Sequence, residues 1–462
     1  MTEDEPSREF VERRDTVSRR DVIRKGAAVG GGAGALITGG ALFAQQSGPA
    51  ASPKPDLAGR KIRAFIRTSA GASVVEVKLQ PLRDDMVAIR TEATQCCYTI
   101  VNQALGSGAN GAGGAGGAVA ARILGHGGVG VVEAVGSAVR RLRPGDRVLV
   151  TNTPNCGECY DCLRGRGDIC QMNPSAGEPL VAIGELTDGT PVHQHNNTGG
   201  FAELMITYDW YCVPAFTKAS ASELAMLGCV GATGLGAVTT FVPVDFGSSV
   251  AVLGAGPVGL SAIQGARIQG AARIIAIEPI RARRELALRL GATVALDPNV
   301  EGSGLVAKVR ELCQDAATRK LLGGRDRTAN GDSGGADFVI ATVGADFAQP
   351  AVERGPDPTG LQPTRQAWEM TRAGGRLVTL GVPRGDISLP AGAWSNRGRI
   401  HHAGQYGGVN AKSDVPRFVQ LIDMGKFDAK ALVTSTYPLE RSKEAFQAVA
   451  DRTTVGAVVV FT

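Results

Sequence analysis

At 462 residues, 43% of them hydrophobic, the chain has room for two ordinary domains and enough apolar surface to bury real cores. Its 63 glycines and 23 prolines stay below the roughly 25–30% that marks disorder. A formal charge of +5 with no long basic run argues against nucleic acid as a partner.

Residues 1–50 read as an export signal rather than as part of the fold. Acids and bases mix in the first 25 residues, where Arg19 and Arg20 stand paired in SRRDVIRK. No charge follows from residue 26 to residue 43, and small residues lead to candidate cleavage points after Ala44 or Ala50. This resembles a twin-arginine signal, a route that carries proteins already folded and loaded with metal or nucleotide. A glycine-rich tail and an uncleaved anchor are the alternatives. Eighteen uncharged residues so rich in glycine make a poor span, so no stable membrane span is expected once the signal is removed.

Residues 51–60 read as a linker. From 61 to 150 the pattern is one of short strands at 62–67, 73–79, 86–91, 129–135 and 147–150, the last preceded by the turn Pro144, Gly145, Asp146. The Gly/Ala/Ser/Asn stretch 106–117 reads as a loop or insertion, with no strand before it to make a phosphate binder.

Four of the nine cysteines, Cys156, Cys159, Cys162 and Cys170, fall in C-x2-C-x2-C-x7-C spacing. Four thiolates on one loop can close a tetrahedral zinc site at about 2.3 Å per sulfur, with no open corner and therefore a structural task. Disulfides are the rival reading in an exported chain. Residues 201–213 then read as one strand, with His193 and His195 before it as loop residues.

The stretch 249–278 organises the second half. Residues 250–253 suit a strand buried on both faces. Gly254, Gly256 and Gly259 follow in G-x-G-x-x-G spacing, with Pro257 and Val258 between them, and open a helix. The first glycine allows a tight turn, the second lets backbone approach a pyrophosphate, and the third lets helix pack on strand. The helix N-terminus completes the anion site. Glu278, nineteen residues beyond Gly259, ends the next strand where an acid binds the ribose hydroxyls of NAD. Its charge would repel a 2′-phosphate, although Arg281, Arg283 and Arg284 keep NADP as an alternative. Arg283 is expected beside the adenine.

Residues 314–334 and 346–364 read as surface insertions, and 336–342 and 376–382 as further strands. Helices are expected at 415–424 and 440–450, and a closing strand at 457–461.

CCYT at 96–99, GHGGVGVVEAVG at 125–136, the cysteine lobe, GCVGATGLGA at 228–237, GAGPVG at 254–259 and GQYGG at 404–408 occur in one order. Together they resemble the zinc-containing alcohol dehydrogenases of the medium-chain dehydrogenase/reductase family, from about residue 60 to the end. The resemblance implies an α/β fold: a doubly wound Rossmann nucleotide domain (231–404) inserted in a GroES-like β-rich catalytic domain (61–230, with the zinc lobe at 156–170), to which 405–462 returns. It implies a second zinc, catalytic, on Cys97, His126 and Cys229, so two zincs per chain. Two cysteines and one histidine leave one corner open for substrate, in agreement. Cys96 is a register alternative to Cys97, but only Cys97 places Thr99 where the family keeps the hydroxyl that receives the substrate proton. Thr233, Gly344 and Val382 correspond to family positions near the nicotinamide. The expected reaction is hydride transfer between a small-molecule alcohol or aldehyde and NAD, in a homodimer or homotetramer.

The chain departs from the family at three places. Gly127 stands where a glutamate commonly follows the histidine, Ile100 where an aspartate often orients it, and Asn102 where many members end a proton relay. These favour as an alternative a zinc-stabilised nucleotide-binding protein with a decayed centre; a zinc-free quinone or enone reductase is a weaker alternative, since such members usually lack the cysteine lobe. Export raises one further tension, since no free nicotinamide pool is expected outside the cytoplasm. Either the cofactor stays bound through turnover or the signal is misread and the protein is cytoplasmic.

Overall fold

The computed structural model describes residues 57–106, 121–173, 181–314, 334–389, 391 and 398–462. The signal (1–50), most of the linker, the loop at 107–117 and most of the insertion at 314–334 lie outside the described residues. Residues 57–60, expected as linker, are tied down. Leu57 is buried, and the Gly59 N–H donates to the Leu79 carbonyl at 2.9 Å.

The first half builds two β layers. Strands Lys61–Thr68, Gly71–Leu79, Gly184–Glu185, Pro191–Gln194 and Ala121–Ile123 close a small barrel. A second sheet runs Cys212–Pro214, Arg147–Val150, Gly128–Val135, Met86–Gln95, Ala457–Val460 and Ser435–Tyr437, with Leu204–Tyr208 also pairing to Met86–Gln95. The C-terminal segment thus returns to the second of these sheets: Val458 faces Gln95 in antiparallel register. The single strand expected over 201–213 is broken. A 3-10 turn, Asp209–Tyr211, divides Leu204–Tyr208 from Cys212–Pro214 and sends the chain from one edge partner to another.

The second half is one parallel sheet, ordered Val294–Leu296, Arg273–Ile277, Ser249–Leu253, Ala336–Ala341, Thr371–Thr379, Ile400–Ala403 among the described residues. All five residues of Ser249–Leu253 are buried, as expected of a strand covered on both faces. The sequence reverses direction between Ser249–Leu253 and Ala336–Ala341, the switch point where ligands bind in open α/β sheets. Residues 361–364, expected within an insertion, instead open the helix Leu361–Met370, whose Ala367 and Trp368 pack under the sheet.

One apolar core joins the two halves. Cys97 and Cys229 belong to the same buried cluster as Val250, Val252 and Leu260. The connection is the helix Val230–Gly236, which begins on Cys229 and lies on the glycine-turn helix Pro257–Ile268. Contact is so close that a Cβ on Gly234 would stand 2.2 Å from the Val258 carbonyl oxygen.

Candidate active site and metal centres

Cys97 ends a strand-to-helix connection, His126 follows the barrel strand Ala121–Ile123, and Cys229 caps the crossing helix. All three are buried, and their ligand atoms lie within 4.8 Å of one another. Both ring nitrogens of His126 lack a hydrogen-bond partner. A buried imidazole left so would cost about 1–3 kcal/mol per unpaired group, unless something from outside the chain takes a nitrogen. The Cys97 sulfur is held well below the ordinary thiol range by the Cys229 S–H, and Cys229 is raised in turn. A soft divalent cation replacing that proton satisfies all three groups, so the donor set fits zinc. The Thr99 hydroxyl lies 3.1 Å from the Cys97 sulfur. Cys96 is also buried but belongs to a separate cluster with Phe65, Ile100 and Phe446.

The cysteine lobe brings Cys156, Cys159, Cys162 and Cys170 within 4.8 Å of one another, with no disulfide. Sulfur separations of 3.9 Å (Cys156 to Cys162) and 4.0 Å (Cys159 to Cys170) suit the edges of a tetrahedron with bonds of about 2.3 Å. Backbone N–H groups of Glu158 and Cys159 point at the Cys156 sulfur, as they do towards thiolates. Burial works against a charged Cys159, but donors from Gln171 and Cys162 bring it down to about 6; burial pushes Cys170 up to about 12. This second set also fits zinc, with every corner filled by protein. Lys412, on the helix Ala411–Asp423, donates its ammonium to the Cys156 carbonyl and so ties the lobe to the C-terminal segment.

In the nucleotide half each glycine of the turn has a different reason. Gly254 has φ +92°, the left-handed region that disfavours other residues. A Cβ on Gly259 would stand 1.9 Å from the Gly254 oxygen. A Cβ on Gly256 would meet only the Arg283 Nη1, at 3.9 Å, so the space above it is open. Pro257 and Val258 form the first turn of the helix. Glu278 is buried and accepts from the Ala255 N–H (2.7 Å) and the Ile280 N–H (3.0 Å), leaving two lone pairs of its carboxylate. Arg281 pairs with Glu285, and Arg284 with Asp297. Beyond the sheet, Gly344 packs on the backbone of Val382, whose side chain is 65% exposed. The Thr233 hydroxyl donates to the Cys229 carbonyl at 2.8 Å.

Residues 83–217 match the model of the alcohol dehydrogenase GroES-like domain, and 257–354 and 325–460 match two zinc-binding dehydrogenase models. An S-(hydroxymethyl)glutathione dehydrogenase of Haemophilus influenzae is 28% identical over 84% of this chain and 93% of its own. A class-3 alcohol dehydrogenase of Cereibacter sphaeroides is 27% identical over 87% of this chain and 100% of its own. Among solved structures, an alcohol dehydrogenase zinc-binding domain protein of Burkholderia ambifaria superposes with TM-score 0.71 and 28% identity, over 87% of this chain and 99% of that one. Taken in succession these matches run from residue 83 to residue 460, and they support the zinc-dependent alcohol dehydrogenases of the medium-chain dehydrogenase/reductase family as the family this chain resembles. The benzyl alcohol dehydrogenase of Acinetobacter calcoaceticus, 23% identical with TM-score 0.70 over 87% of this chain and 100% of its own, has the same fold.

Beside the zinc-dependent alcohol dehydrogenases it resembles, the chain is unusual around His126. Ile100 is buried among Leu124, Phe201 and Phe446, so an apolar core occupies the place of an orienting acid. Gly127 has φ +120°, and a Cβ there would stand 2.9 Å from the Val150 oxygen and 3.0 Å from the Gly228 oxygen. The backbone, and not only the side chain, therefore differs from a site with glutamate. Gly127→Glu is expected to lower stability by about 2 kcal/mol or more and to leave zinc content no higher. Thermal melting and metal analysis check this, and a variant that melts like the parent with tighter zinc would contradict it.

His195, expected as a loop residue, lies in the 3-10 turn His195–Asn197, and its ring is 5.5 Å from that of His126. Its Nδ1 faces the Gly125 carbonyl at 3.3 Å, and burial, then the His126 and Arg122 charges, push its pKa down to about 3, so the imidazole is neutral. Asn196 and Asn197, at φ +51° and +56°, make the turn that swings it inward. Two consecutive asparagines, which tolerate that region, were the available signal.

Proposed function

We propose that the chain is a zinc-dependent alcohol dehydrogenase that transfers hydride between a small-molecule alcohol or aldehyde and NAD, using two zincs per chain, one catalytic and one structural. The observation that carries it is the buried group of Cys97, His126 and Cys229, with both histidine nitrogens orphaned, in the core shared with the nucleotide strand. Those three residues would hold the catalytic zinc, and Cys156, Cys159, Cys162 and Cys170 the structural one. When bound, zinc acts as a Lewis acid that lowers the pKa of the alcohol oxygen, and the nicotinamide carries the hydride.

The chain's own residues do the rest. Thr99, whose hydroxyl stands beside the Cys97 sulfur, takes part in receiving the substrate proton. Asn102, an amide, cannot end the relay as a base near neutral pH, so His195 forms the nearby imidazole wall without a relay histidine in the usual place. Glu278 favours NAD, because its carboxylate would meet a 2′-phosphate with like charge. The relatives named for S-(hydroxymethyl)glutathione and alcohol oxidation support an alcohol or aldehyde as substrate. Full-length protein supplied with NAD and a panel of primary and secondary alcohols should form NADH. Loss of that activity on chelation and its return with zinc are expected, whereas turnover that survives metal removal would favour a zinc-free reductase.

The paired Arg19 and Arg20 support export by the twin-arginine route. Cell fractionation with N-terminal sequencing should find a cleaved chain outside the cytoplasm, and an uncleaved cytoplasmic chain would overturn that part. Among the described residues no single helix is long and apolar enough to cross a membrane.

A further inference from the structure

Thr99 stands on a short piece of chain that is held from both sides. Cys97 leads into the three-residue 3-10 turn Tyr98–Ile100, which has no side-chain cap and closes on an Ile100 N–H to Cys97 carbonyl contact of 3.3 Å. Hydrogen-bond geometry in such turns is poor, so this one depends on what its side chains reach. Ile100 is buried with Phe65, Leu124 and Phe446 in the core of the catalytic half. Tyr98 reaches the other way, to the nucleotide half. Its hydroxyl accepts the Phe347 N–H at 3.0 Å, and its ring lies 5.6 Å from that of Phe347. Thr99, between the two anchors, is exposed, with its hydroxyl 3.1 Å from the Cys97 sulfur.

The anchor on Tyr98 includes an arginine in a backbone conformation that most side chains avoid. Arg452 has φ +59°, the left-handed region that glycine fills freely. A glycine would relieve the backbone there, yet the arginine side chain makes two contacts that a glycine cannot. Its guanidinium pairs with Asp346 and lies over the Tyr98 ring at 5.8 Å. The Arg452 and Asp346 side chains are 19% and 12% exposed, so water screens this pair far less than a surface pair. Asp346 is fixed in turn, since its N–H donates to the Pro358 carbonyl at 2.8 Å. The Arg283 guanidinium donates to the carbonyls of Arg452 and Thr454, at 3.4 and 2.8 Å, and holds the turn that carries Arg452. A hydrogen bond, an ion pair and a cation–π contact thus join three distant segments of the chain at Tyr98.

We propose that Tyr98 is a positioning residue for the alcohol step: with Phe347, Asp346 and Arg452 it forms a clasp that fixes the Tyr98–Ile100 turn, and through it the Thr99 hydroxyl beside Cys97. This rests on the reading of Thr99 as the group that receives the substrate proton. Tyr98 and Arg452 act through the backbone of the turn, without touching substrate or metal. Proton transfer needs hydrogen-bond geometry at the reacting oxygen, and a displacement of about 1 Å can cost about 100-fold in rate. Without the clasp the turn shifts while the fold stands, so the chemical step slows and alcohol binding and zinc stay as they were.

Single-turnover NADH formation at saturating NAD, which excludes product release, tests this together with zinc analysis and thermal melting. The proteins are full-length wild type, Arg452→Gly, Arg452→Lys, Tyr98→Phe and Tyr98→Ala. Arg452→Gly removes the clasp and relieves the backbone at once. Its melting temperature should stay within about 3 °C of wild type, with unchanged zinc. Its maximal rate should fall about 10–30-fold, while the alcohol concentration for half that rate changes less than about threefold. Tyr98→Ala should match it, and Tyr98→Phe, which loses only the bond to Phe347, should lose about 3–10-fold. Arg452→Lys, which keeps the cation but not the fork, should stay within about fivefold of wild type. The two Tyr98 variants carry the test if Arg452→Gly does not fold. A wild-type rate in Arg452→Gly and Tyr98→Ala overturns the proposal. Rate losses that only follow lost zinc or a lower melting temperature give the cluster a purely structural role, and weaker alcohol binding at an unchanged maximal rate gives Tyr98 a binding role; each also overturns it. A wild type without NAD-linked turnover would sink the reading of Thr99 and this inference with it, whereas an active wild type with indifferent variants sinks only the inference.

Discussion

Replacing Cys97 by serine is expected to lower alcohol oxidation by at least about 1000-fold, equivalent to about 4 kcal/mol of transition-state stabilisation. A serine hydroxyl remains protonated near neutral pH and is a poor zinc ligand. The variant should therefore lose one zinc per chain as well as turnover. NADH binding should change less than about threefold, because the glycine turn and Glu278 are untouched. Cys96→Ser gives the internal control. Cys96 packs with Phe65, Ile100 and Phe446, outside the group formed by Cys97, His126 and Cys229, so its variant should keep two zincs and activity within about threefold. Steady-state kinetics with metal analysis of the two variants decide the matter. Full activity in Cys97→Ser, or metal loss in Cys96→Ser instead, would remove the mechanism or shift its register by one residue.

The second large effect separates two glycines three residues apart. Gly259→Ala places a Cβ at 1.9 Å from the Gly254 oxygen, a backbone atom that cannot move without parting helix from strand. A loss of about 3 kcal/mol or more is expected, seen as a lower melting temperature or failure to fold. Gly256→Val meets only the tip of Arg283, at 3.9 Å, and Gly256 has φ −72°, where valine is comfortable. Its fold should survive with a melting temperature within about 3 °C of the parent. The isopropyl group nevertheless fills the space through which a pyrophosphate approaches, so NADH affinity should fall about 100-fold, or about 2.7 kcal/mol. Melting curves and NADH titrations on both variants check the pair. Normal NADH binding by Gly256→Val would mean that the space over the helix is not where the dinucleotide sits.

What the sequence made legible was whatever depends on local spacing. The strands at 62–67, 73–79 and 129–135 were visible from β-branched runs and their turns, and they occur as Lys61–Thr68, Gly71–Leu79 and Gly128–Val135. The three glycine roles were visible for the same reason, since a tight turn, a close ligand approach and a close helix contact each leave a fixed offset. The cysteine lobe is one short loop, and its four sulfurs converge without long-range help.

Long-range placement was much less legible. His195 reaches His126 only because two asparagines turn the backbone back, and nothing in the spacing of HQH reports that contact. Arg283 was visible as a cation after Glu278, but the carbonyls that aim it belong to residues 452 and 454, far along the chain. Gly127 looked like a missing acid. In the fold it is a left-handed position wedged against the Val150 and Gly228 carbonyls, where any side chain would collide. The division of 201–213 into two strands also escaped, because a 3-10 turn of Asp209, Trp210 and Tyr211 keeps the aromatic and apolar character of a strand.

The central claim is that a buried sulfur-and-imidazole group holds a second metal ion beside a nicotinamide-dinucleotide site. Its most direct test is the zinc content of freshly purified full-length protein, measured against chain concentration. Two zincs per chain are predicted, one retained in a Cys97→Ser variant. A single zinc per chain in the wild type, held by Cys156, Cys159, Cys162 and Cys170, would contradict the claim and leave a nucleotide-binding fold without a working centre.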